Sequence, residues 1–183
     1  TTVSGSGYLP LPNTGGSVAT VNYNLIAGQT QSAIGSVGTL KITAPAASQT
    51  LNLQTFDLTF GAASGGLLVT GTNAFTISGT AGGIKAGTAA GDLIIHNFNS
   101  GGLTIAAPIK DGAGATNLMV TGTGTTTLTT ANTFTGNIFL TGRLVFSSTL
   151  ATPLASTGTL GGGNNNTGTV YLGDGAVLTY NGA

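Results

Sequence analysis

Gly38-Thr39-Leu40-Lys41-Ile42 is followed by Gly65-Gly66-Leu67-Leu68-Val69, Gly91-Asp92-Leu93-Ile94-Ile95, Thr116-Asn117-Leu118-Met119-Val120, Gly142-Arg143-Leu144-Val145-Phe146 and Gly168-Thr169-Val170-Tyr171-Leu172. The lead residues Leu40, Leu67, Leu93, Leu118, Leu144 and Val170 stand 27, 26, 25, 26 and 26 positions apart. Each run is short, rich in β-branched and aliphatic residues and bounded by Gly, Thr or Asn, which is the composition of a strand between turns. A second apolar site follows within each unit at Leu51/Leu53, Phe75/Ile77, Leu103/Ile105, Leu128, Leu154 and Leu178, and a third at Leu58, Ile84, Ile109, Ile138 and Leu160. A strand this short cannot bury its apolar face alone, but three wound into a coil and stacked on the next coil can. The spacing therefore predicts an all-β chain: a right-handed parallel β-helix of about seven coils, each of about 26 residues with three short strands. An antiparallel sandwich would also contain many short strands, but it does not account for one spacing kept across six units.

Composition narrows the function. Of 183 residues only eight carry a formal charge, four basic and four acidic, far below the roughly 25% of an ordinary soluble domain. Clustered Lys and Arg, which nucleic-acid binding requires, are lacking. There is no cysteine, hence neither a disulfide framework nor a thiolate metal site. No apolar run approaches the roughly 18 residues of a membrane-spanning helix, and no window carries a capped 3.6-residue period. The length suits one domain over residues 1–183. The opening Thr-Thr-Val, without a leader, leads us to expect a processed protein or an excised segment.

The stretch Gly122 to Ser148 resembles the autotransporter-associated β-strand repeat. The matching positions are Gly122 and Gly124, the alternating Thr127-Leu128-Thr129, the block Ala131-Asn132-Thr133-Phe134-Thr135-Gly136, and the closing Gly142 and Leu144. Leu51 to Phe60 and Gly91 to Ile105 look like the strands that precede this repeat, so the similarity covers about half the chain. Thr126 stands where the family usually has an apolar strand residue, and Thr130 where it often has glycine. The resemblance implies a right-handed β-helix on the outer face of a Gram-negative-type bacterium, with a structural or adhesive role and no catalysis.

Candidate sites are few. Many parallel β-helices act on polysaccharides, but that chemistry needs converging carboxylates, and the four aspartates are spread along the chain. Asp57, Lys85 and Asp111 lie at offsets 17, 18 and 18 from their lead residues, which predicts a ladder of alternating charge on successive coils. His96 is the single histidine, which excludes a multi-histidine metal site; no cofactor is expected. Gly161 to Thr167 reads as a protruding turn. The Thr-rich run from Thr121 to Thr130 raises ice binding as a lesser reading, and threonine is equally a good residue for an exposed strand face.

The two ends suggest an assembly. With a full coil allotted to residues 14–39, residues 1–13 are left over, and residues 168–183 form an incomplete last coil; together the remnants approximate one coil. The N-terminal segment of one molecule is thus expected to complete the last coil of the next, in a heterologous head-to-tail homopolymer. Its interface would use Val3, Tyr8, Leu9, Leu11, Val170, Tyr171, Leu172, Val177, Leu178 and Tyr180. The expected function is a non-catalytic extracellular stalk, adhesin shaft or fibre subunit. A carbohydrate-binding module, with surface glycans as partners, is the alternative.

Overall fold

Alternation of apolar and polar residues along each run leaves every strand one face to bury, and stacking buries it against the strands above and below. The structure, a computed structural model, describes residues 7–44, 46, 48–62, 64–87, 90–146 and 168–181. Strand β1 (Leu9–Pro10) opens the stack. The first coil carries β2 (Asn22–Leu25), β3 (Gln29–Thr30) and β4 (Gly35–Val37), and the second β5 (Thr39–Ala44), β6 (Gln49–Asn52) and β7 (Leu58–Phe60). The third carries β8 (Gly65–Gly71), β9 (Phe75–Ser78) and β10 (Ile84–Ala86), and the fourth β11 (Gly91–Asn99), β12 (Leu103–Ala106) and β13 (Ile109–Lys110). Then come β14 (Thr116–Thr121) with β15 (Thr125–Leu128), β16 (Ile138–Leu140) with β17 (Arg143–Phe146), and β18 (Val170–Leu172) with β19 (Val177–Tyr180).

These strands form three sheets: eight strands in the order β1-β2-β5-β8-β11-β14-β16-β18, seven in the order β3-β6-β9-β12-β15-β17-β19, and four in the order β4-β7-β10-β13. Every pairing is parallel. The stack is that of a parallel β-helix. One inward column of the eight-stranded sheet runs Leu9, Tyr23, Leu40, Leu67, Ile95, Val120, Leu140, Leu172 without a polar residue. In the seven-stranded sheet Leu51, Ile77, Ile105, Leu128 and Phe146 form another.

The register departs from a fixed period in three places. Leu67 lies opposite Ile95, not Leu93, which faces Gly65. A slip of two residues preserves which side chains point inward, so apolar alternation tolerates it. Leu144, expected above Leu118, sits in the seven-stranded sheet between Thr126 and Leu178. Ile138, expected in the third strand of its unit, instead pairs with Leu118 and Val170 in the eight-stranded sheet. The chain makes this shortcut because residues 132–134 form no strand. Asn132 Oδ1 accepts from the Ile109 amide at 2.7 Å, and the Thr133 amide donates to Ile109 O at 2.9 Å, so contacts of this kind, rather than a strand pairing, close this side of the coil. The advance per turn of the stack accordingly varies, from 14 residues between Leu9 and Tyr23 and 17 between Tyr23 and Leu40 to 32 between Leu140 and Leu172. The expected full coil over residues 14–39 is replaced by two tight turns, one from Leu9 to Tyr23 and one from Tyr23 to Leu40.

The corner between the two large sheets is built from buried asparagines. Asn97 and Asn99 are both 0% exposed. Asn97 Nδ2 donates to Thr125 O at 2.9 Å and to Thr126 Oγ1 at 3.1 Å, and its Oδ1 accepts from the Asn99 amide at 3.0 Å. Asn99 Nδ2 donates to Asn73 O and Gly102 O. Stacked directly on this corner, Gly122 has φ +99° and its backbone approaches Asn97 so closely that a Cβ would meet Asn97 O at 2.2 Å. Only glycine meets both conditions.

Candidate functional site

Charge gathers on the four-stranded sheet. Lys85 and Lys110 are register partners on β10 and β13, and both reach back to the carboxylate before β7. Lys85 Nζ lies 2.8 Å from Asp57 Oδ2 and Lys110 Nζ 2.8 Å from Asp57 Oδ1. The Gly83 amide also donates to Asp57 Oδ1, at 3.0 Å, and Lys110 Nζ donates to Ala81 O at 2.6 Å. Partial burial opposes ionisation of Asp57, but hydrogen bonds from Lys110, Lys85 and Gly83 outweigh it and hold the carboxyl below its ordinary value. The cluster holds one anion between two cations, part-exposed, which suits a brace between coils.

The structure thus brings Asp57 and Lys85 together and puts Lys110 in the place where the offsets put Asp111. The Asp111 carboxylate accepts instead from the Thr116 amide (2.8 Å), the Thr135 amide (3.0 Å) and Thr135 Oγ1 (2.7 Å), joining the short coil to the one before it. A second polar ladder, which the offsets did not reveal, borders the eight-stranded sheet. Asn117 Nδ2 donates to Asp92 Oδ1 (2.8 Å), Asn117 Oδ1 accepts from the Asn137 amide (2.9 Å), and Asn137 Oδ1 accepts from the Thr169 amide (2.9 Å). Spacings of 25, 20 and 32 hide it from a period of 26. His96 faces outward and its Nδ1 lies 2.8 Å from Thr121 Oγ1. Among the described residues no group of three or more His, Cys, Asp or Glu could hold a metal ion, and no helix is long and apolar enough to cross a membrane.

Of the residues expected at an assembly interface, those that the structure describes lie at opposite ends of the stack. Val3, Leu154, Leu160 and the turn Gly161 to Thr167 fall outside the described residues. At the first end Leu11 is buried, and Leu9 packs against the core. Residues 9–13 are held by this chain's own first coil. The Leu11 amide donates to Asn24 O (3.0 Å), Leu11 O accepts from Gln29 Nε2 (3.2 Å), and Asn13 O accepts from the Ser32 amide (2.8 Å). At the other end Val170 and Leu178 pack on the core, whereas Tyr171, Leu172, Val177 and Tyr180 are exposed. Tyr171 stacks on Phe139 with ring centroids 4.9 Å apart and planes 6° from parallel. They continue an outward column, Ile94, Met119, Phe139, Tyr171. Outward on the seven-stranded sheet, Thr50, Thr76, Thr104 and Thr127 stand in one column on successive coils, as good strand formers on an exposed face do.

No family model, no curated protein and no solved structure matches the chain.

Proposed function

We propose that this chain is a non-catalytic structural rod: a stalk or shaft module of a bacterial surface protein, working outside the cell. The observation that carries the reading is the unbroken apolar column from Leu9 to Leu172, on which the eight-stranded ladder is built. At roughly 4.8 Å per strand eight strands span about 34 Å, and each coil is held to the next by main-chain hydrogen bonds along the axis. Such an element transmits position and load between what lies at its ends. The cross-coil braces at Asp57, Asp111 and Asn117 support the same use.

The alternative, a glycan-binding module, draws less support. Sugars stack on open aromatic faces, and here one face of Tyr171 is taken up by Phe139, which leaves a single partly exposed ring at the end of the sheet rather than a row of open faces along the rod. The test has two arms. Antibody against the rod is expected to label intact source cells from outside, and a glycan array is expected to retain none of the purified protein. Labelling only after permeabilisation overturns the location, and retention of one glycan class that is lost in Tyr171→Ala overturns the purely structural role.

A further inference from the structure

We propose that β1 is a stop for sheet growth, so that a second copy of this chain does not pair with β1 by strand addition. In a parallel ladder, alternate residues of a strand turn their N–H and C=O toward one neighbour or the other. Leu11 and Asn13 face the first coil, as the Leu11 amide to Asn24 O and Ser32 amide to Asn13 O bonds establish. Pro10 in β1 therefore faces the side on which, among the described residues, no strand is paired, and Pro12 follows just beyond the strand. Proline has no N–H, so neither position can donate to an added strand. Natural sheets use proline in this way to close an edge. The chain reads Leu9-Pro10-Leu11-Pro12: apolar side chains inward where Tyr23 and Leu25 need cover, prolines on the side facing away.

This goes beyond the rod assignment and sets the polarity of any assembly. The far end of the stack has no such device in its strands, since β18 and β19 read Val-Tyr-Leu and Val-Leu-Thr-Tyr. Head-to-tail stacking that relies on β1 pairing with a neighbour's last coil is thus disfavoured. The experiment is energy transfer between two batches of protein, one labelled at Val18→Cys beside the first end and one at Asp174→Cys beside the last, in a chain free of other cysteines. With the native prolines no transfer is expected at micromolar concentration. Pro10→Thr/Pro12→Thr restores both donors and is expected to tighten end-to-end association at least tenfold, giving transfer that rises with protein concentration. Transfer in the native-proline pair overturns the proposal. So does its absence in the threonine variant when circular dichroism and the melting midpoint match the parent. If the double change disturbs folding, Pro10→Thr alone, at the exposed position, carries the same reading.

Discussion

Asn97 interrupts an apolar column. Leu25, Ile42 and Val69 lie beneath it in register, and a designer completing the column would write Asn97→Leu. That change adds about 2 kcal/mol of apolar burial. Against it stand three lost hydrogen bonds, which leave the buried Asn99 amide, Thr126 Oγ1 and Thr125 O without their partner. An orphaned buried group costs about 1–3 kcal/mol, so the Asn99 amide alone cancels the gain. The site is also tight, for a Cβ on Gly124 would lie 2.7 Å from Asn97 Oδ1, and a branched side chain there would be overpacked. The expected net loss is about 2–4 kcal/mol, a fall of roughly 5–15 °C in melting midpoint for a chain of this size. Thermal unfolding followed by circular dichroism, checked by urea titration, measures it. An Asn97→Leu protein as stable as the parent would refute the view that the corner is a satisfied polar network rather than a defect in the core.

Gln31 supplies the opposite sign: it is buried with no partner at Nε2 and occupies the position that Leu53 fills on the next coil. Gln31→Leu is expected to stabilise by about 1 kcal/mol, read as a higher urea midpoint at unchanged slope. Register is open to cross-linking, because neighbouring strands place paired Cα atoms about 4.8 Å apart, within disulfide reach. Met119→Cys/Phe139→Cys should oxidise to an internal disulfide and Met119→Cys/Val145→Cys, the pair a strict 26-residue period implies, should not; mass spectrometry after mild oxidation distinguishes them. Asp57 has a lowered folded-state pKa, so its contribution is present above the unfolded carboxylate value of about 3.9 and disappears as pH falls through the folded value. Stability is expected to drop as pH falls below about 4, and Asp57→Asn should flatten that part of the profile while costing about 1 kcal/mol or less at neutral pH. Finally, Gly61→Ala should destabilise by more than 1 kcal/mol, since φ is +68° and the added Cβ would collide with the Ser64 backbone.

The end-face residues show how far the chain could be read without coordinates. Tyr171, Leu172, Val177 and Tyr180 were legible as terminal-coil residues, and they are exposed on the last two strands. Leu9 and Leu11 were legible as apolar, but not their pairing within the first coil, since that depends on two tight turns with no counterpart later in the chain. Asp57 and Lys85 could be matched by offset. Lys110 follows Lys85 by 25 residues in the four-stranded sheet, whereas the eight-stranded sheet advances by 28 over the same coil, from Leu67 to Ile95, so no single offset serves both sheets.

Two kinds of information are at work. Alternation of apolar and polar residues is local, and with short strands recurring between glycine-rich turns it determines an all-β chain of stacked parallel strands and says which side chains point inward. How many residues each turn absorbs is not local, because a slip of two keeps the same faces buried. What decided the placement of Leu144 beside Thr126, Ile138 on Leu118 and Lys110 on Asp57 was the fit of one coil on the next: glycines where backbones nearly touch, asparagines where a corner leaves amides to satisfy, and a coil shortened where Asn132 and Phe134 stand in for a strand.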